Sequence, residues 1–171
     1  MRTHPFSKTD VQMLVSAHAA MLAGVAVFAA VSVYFNLRNR SVGPGVLPEW
    51  LRLVAYADIL LPLLALAASR MLHTMRIARA HERLRDRAIH IEAFKSQIRS
   101  AYLMRAAILE GPALLGLAAV LSVALKPGNI FAAPPVHLAL FLGAVLFAAE
   151  TIRVLPTESR LDAVFRAYNP D

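Results

Sequence analysis

The chain has 171 residues, 58% of them hydrophobic, a formal net charge of +7 and a mean hydropathy of +0.55. A soluble domain carries about 45–50% apolar residues, so an ordinary soluble fold is excluded. Four membrane crossings of ~20 residues each would leave no room for a separate soluble domain.

The apolar stretches come in chain order. The first span covers about residues 11–35, which is 25 residues without a formal charge, and it carries His18. It is too long for the ~7–15-residue core of a secretion signal and is read as a retained span. The second covers about residues 51–68, with Arg52 near its start, Asp58 inside and Pro62 one turn further on. The third covers about residues 103–125 and contains Arg105 and Glu110. The fourth covers about residues 135–155, with Glu150 and Arg153 near its end. Ala, Leu and Val dominate all four without the alternation of a β-barrel, and a helix satisfies its own backbone in lipid. The expected fold class is therefore all-α. It is an integral membrane four-helix bundle in which residues 1–171 form one transmembrane domain. A basic helical cytoplasmic segment, about residues 69–102, connects spans 2 and 3.

Orientation follows from the basic residues. Nine lie between Arg70 and Arg105, two (Arg2, Lys8) precede the first span, and three (Arg153, Arg160, Arg166) follow the fourth. Only Arg38, Arg40, Arg52 and Lys126 fall on the opposite side. Lys and Arg accumulate on the cytoplasmic side, so both termini and the central segment are expected in the cytoplasm of a cell with this chain in its inner membrane. The outer connections are turn-rich, Gly43-Pro44-Gly45 in one and Pro127-Gly128-Asn129 in the other. Tyr34 and Trp50 fall where an interfacial aromatic belt would lie. The layout reads as two similar hairpins.

Between Ser69 and Ser100 there is neither Gly nor Pro. Ile77, Leu84, Ile91 and Ile98 recur every seven residues, which predicts one apolar stripe on a charged helix. The segment is expected to be a cytoplasmic helical extension of the second and third spans, whose stripe packs on itself or on a sister subunit. The arginines are expected to meet the anionic lipid of the leaflet. No aromatic platform or recognition module points to nucleic acid. The chain lacks cysteine, which removes thiolate chemistry and disulfides. There is no phosphate loop, nucleophile elbow or metalloprotease helix, so no enzyme activity, cofactor or metal is expected.

Ionisable residues inside spans are costly and seek partners. At about 1.5 Å rise per residue, His18, Glu110 and Glu150 fall at similar depth in the cytoplasmic leaflet, within reach of Arg105 and Arg153. The expected arrangement pairs Glu110 with Arg153 and Glu150 with Arg105. A proton relay between Glu110 and His18 is the functional alternative. Asp58, in the outer leaflet, is expected to meet Arg52, Tyr34 or Asn36. Gly111-Pro112 after Glu110 predicts a kink. Ala23, Gly24, Gly111, Gly116 and Gly143 are expected to allow close helix approach.

The run Arg105-Ala106-Ala107-Ile108-Leu109-Glu110-Gly111-Pro112-Ala113-Leu114-Leu115, with Pro156-Thr157-Glu158-Ser159-Arg160-Leu161 after the fourth span, resembles a recurrent pattern. It is similar to small, uncharacterised four-helix bacterial membrane proteins whose third span opens R-x-A-x-L-E-G-x-A-L. The resemblance covers about a third of the chain and implies a bacterial inner-membrane location but no activity. The expectation is a structural or accessory inner-membrane protein, either a homo-oligomer or bound to a membrane partner. The alternative is a proton- or ion-coupled transporter using Glu110, His18 and Asp58.

Overall fold

The computed structural model describes residues 6–38, 48–86, 90–125 and 130–168, and no strand occurs among the described residues. Five α-helices follow in order: α1 (Lys8–Arg38), α2 (Glu49–Arg85), α3 (Ile91–Ala124), α4 (Leu142–Arg153) and α5 (Glu158–Tyr168). Two 3₁₀ segments, Ile130–Ala132 and Pro135–Phe141, lead into α4. Helices α1, α2 and α3 and the run Pro135–Arg153 are each long and apolar enough to cross a membrane, as the composition predicts. The turns Gly43-Pro44-Gly45 and Pro127-Gly128-Asn129 lie outside the described residues, as do Arg2, Arg40, Arg87 and Lys126.

Helix α3 is the central element, packed on α1, α2 and α4. Its residues Ala106, Leu109, Ala113, Leu117 and Val120 are buried at helical spacing, which places them on one side of the cylinder. Helix α1 has little contact with α2, its neighbour in sequence, so the reading of two similar hairpins holds for the second pair only. Hydrogen bonds to α3 explain where α1 sits. The Ser32 hydroxyl donates to the Leu117 carbonyl at 3.3 Å and the Asn36 amide to the Val120 carbonyl at 3.1 Å. Asn36 Oδ1 in turn accepts from the Ile130 amide at 3.2 Å. Each bond satisfies a buried polar group that would otherwise be costly.

Close approach depends on two of the predicted small residues. A Cβ on Gly116 would collide with the Leu140 carbonyl oxygen and lie 2.5 Å from Asp58 Oδ2. One on Gly143 would lie 2.9 Å from the Pro112–Ala113 backbone. Gly24 and Gly111 face open space, and Ala23 is exposed. Pro62 and Pro112 lie inside continuous α-helices. The change of helix type falls instead in the fourth span, where 3₁₀ geometry passes to α at Leu142. Pro134 and Pro135, which lack backbone donors, open that segment.

The basic segment extends α2 and α3 rather than forming a separate helix. Helix α2 continues to Arg85 and α3 begins at Ile91, so the segment consists of two helix extensions that pack on each other, with residues 87–89 outside the described residues. Their apolar faces bury Ile77, Ala80, Phe94, Ile98, Ala101 and Tyr102 together with Leu14, Phe6 and Leu161. Of the seven-residue series, Ile77 and Ile98 are buried, Leu84 is partly buried and Ile91 is exposed. Leu161 belongs to α5, an element the sequence reading did not anticipate. Its signals are Thr157, whose hydroxyl accepts from the Arg160 amide at 3.4 Å, and Leu161, Val164 and Phe165 at one-turn spacing.

Two histidines of this end act as aromatics. His81 packs edge-on against Phe94 at 4.9 Å and His73 against Tyr102 at 4.7 Å. Both lie beyond the apolar part of α2, and burial lowers both pKa values below the usual 6.5. Their rings therefore stay neutral inside a segment crowded with arginine.

Candidate functional site

Near the basic end, three helices converge on one carboxylate. Glu150, on the penultimate turn of α4, has a side chain only 7% exposed. From α2, Arg70 Nε donates to Glu150 Oε1 at 3.0 Å. From α3, a terminal nitrogen of Arg105 reaches the same oxygen at 2.7 Å. From one turn along α4, Arg153 binds both carboxylate oxygens, at 2.6 and 2.7 Å. Hydrogen bonds between ionised partners are short and strong, and these tie α2, α3 and α4 together at one depth. One negative charge faces three positive charges.

His18, from α1, joins the cluster without entering the ion pairs. Its Nδ1 lies 2.7 Å from the Leu14 carbonyl, and since a carbonyl only accepts, Nδ1 is the donor. A cavity of about 10 Å³ is lined by His18, Tyr102, Arg105, Leu109, Glu150 and Thr151. That volume holds one water at most. Arg105 Nε is buried beside it without a hydrogen-bond partner among the described residues.

The predicted cluster of His18, Arg105, Glu150 and Arg153 is thus assembled, and the expected pairing of Glu150 with Arg105 is present. The pairing of Glu110 with Arg153 is not. Arg153 turns to Glu150 on its own helix, and Glu110 makes no hydrogen bond or ion pair with the described residues. The cause is azimuth. Glu110 lies at the edge of the packed face of α3, half-buried, whereas Arg105 points to the α2–α4 side. His18, Glu110 and Glu150 do not come together as a metal-ligand group. Sequence reasoning missed Arg70 as a member. Its signal was position, since it is the first cation after the second apolar run.

Asp58 departs furthest from expectation. It is fully buried between α2, α3 and the fourth span, packed against Gly116. Arg52 and Tyr34 are exposed, and Asn36 is occupied with Ser32, Val120 and Ile130. Neither carboxyl oxygen makes a hydrogen bond among the described residues.

No family model, curated protein or solved structure matches this chain.

Proposed function

We propose that this is a multi-pass inner-membrane protein with a structural or accessory role, working as a homo-oligomer or beside a membrane partner. Its basic end and both termini face the cytoplasm. The observation that carries this reading is the use made of the charges: Glu150 and its three arginines are spent holding helices together. The cavity beside them admits one water and no larger solute. Less than half of each apolar stretch is buried within the chain, and such outward surface suits lipid or a neighbouring subunit.

The second reading, a proton- or ion-coupled transporter, draws support from one place. Asp58 is a fully buried carboxyl without a hydrogen bond among the described residues. The Glu110–His18 relay has no contact to support it.

The deciding experiment is the native mass of the complex, extracted gently from its own membrane, with co-purifying proteins identified. A stoichiometric larger partner, or a homo-oligomer whose Asp58→Asn variant shows unchanged ion flux in proteoliposomes, is the expected result. Loss of flux in a folded Asp58→Asn variant overturns the accessory reading in favour of transport.

A further inference from the structure

We propose that the outer faces of Arg70 and Arg153, held in place by Glu150, form a binding site for the phosphate of one anionic phospholipid. This inference rests on the membrane reading and names a partner for the same cluster.

The charge count is the first argument. Arg70, Arg105 and Arg153 share one carboxylate, so the cluster keeps a surplus of two positive charges. Glu110, five residues along α3 from Arg105, contributes no ion pair with the described residues. The second argument is exposure. Arg105 is turned inward with a side chain only 11% exposed, while those of Arg70 and Arg153 are 50% and 60% exposed. Each of these two binds Glu150 through Nε and one terminal nitrogen, and the other terminal nitrogen has no partner among the described residues.

Preorganisation is the third. Guanidinium side chains lose rotamer freedom on binding, and Glu150 has already removed it here. Arg85 of the distal hairpin differs: among the described residues its ion pair is with its chain neighbour Asp86, at 3.6 Å. Position is the fourth. Arg70 follows directly on the second apolar run and Arg153 ends the fourth. Two guanidiniums at the hydrocarbon boundary face the level of the lipid phosphates, and their planar N–H groups match phosphate oxygens. The cavity of about 10 Å³ behind Arg105 is too small for a phosphate, so the ligand sits on the outer face with its acyl chains along the apolar flanks of α2 and α4.

The test uses the full chain in mild detergent and native mass spectrometry with added phosphatidylglycerol, phosphatidylcholine or inorganic phosphate. One phosphatidylglycerol is expected to be retained in preference to phosphatidylcholine. Its binding should weaken by about 30-fold in the Arg70→Ala/Arg153→Ala double variant. Arg83→Ala/Arg85→Ala should bind as wild type. Should the first double variant not fold, wild-type unfolding replaces it, and phosphatidylglycerol should raise the midpoint more than phosphatidylcholine does. Equal retention of the two lipids, or equal loss in both double variants, overturns the site in favour of diffuse attraction. Displacement of the lipid by inorganic phosphate at similar concentration overturns the lipid assignment in favour of a free anion. A chain that stays monodisperse without detergent refutes the membrane reading itself, a result distinct from all of these.

Discussion

Glu150 and Glu110 are both acids within apolar runs, yet their surroundings differ. Glu150 receives three arginines, whereas Glu110 has no such partner among the described residues. Removing Glu150 leaves the enclosed Arg105 uncompensated, which is costly, whereas Arg70 and Arg153 keep access to solvent. Glu150→Gln is therefore expected to lower the unfolding midpoint in detergent sharply, while Glu110→Gln leaves it unchanged or raised. The reverse order would reassign the charge network to Glu110. Position along each helix was legible from residue count because helical rise is constant. Which acid meets which arginine was not, because that position says nothing about rotation around the helix axis.

At the scale of elements, packing separates residues that look alike in sequence. Gly111 and Gly116 both sit in α3, but only Gly116 is pressed against the backbone of another element, at Leu140. Gly116→Ala should destabilise by about 1–3 kcal/mol through overpacking. Gly111→Ala should stabilise by about 0.5–1 kcal/mol, since alanine is the better helix former and the site is open. Unfolding of the two variants in mixed detergent micelles checks the contrast, and equal effects would refute the assigned α3–Leu140 contact. The apolar helices were legible element by element, since their lengths and composition mark them in the sequence. Where the basic segment breaks was not, because neither Gly nor Pro marks the place, and only the packing of Ile77 and Ala80 with Phe94 and Ile98 pairs the two extensions.

The whole molecule joins an apolar bundle to a compact basic end, where α5 and the two helix extensions share one core. The proposed orientation places that end in the cytoplasm. Because the chain lacks cysteine, single introduced cysteines report on it without background. Glu49→Cys should react with a membrane-impermeant maleimide on intact cells, and Ser96→Cys only after permeabilisation. Exchanged reactivities would invert the orientation, and labelling of both sites in intact cells would end the four-span alternation.

The sequence by itself determined the helix class, the number of long apolar helices, the position of the polar residues along them and the distribution of charge, because these depend on composition and on the fixed rise of a helix. Only the tertiary structure decided that α1 lies on α3 rather than α2, that Arg70 joins Glu150, that Asp58 is enclosed beside Gly116, and that the basic segment folds back beneath α5. Each of these depends on which faces of different helices meet. That is settled by side-chain hydrogen bonds and close backbone contacts between residues far apart in the chain.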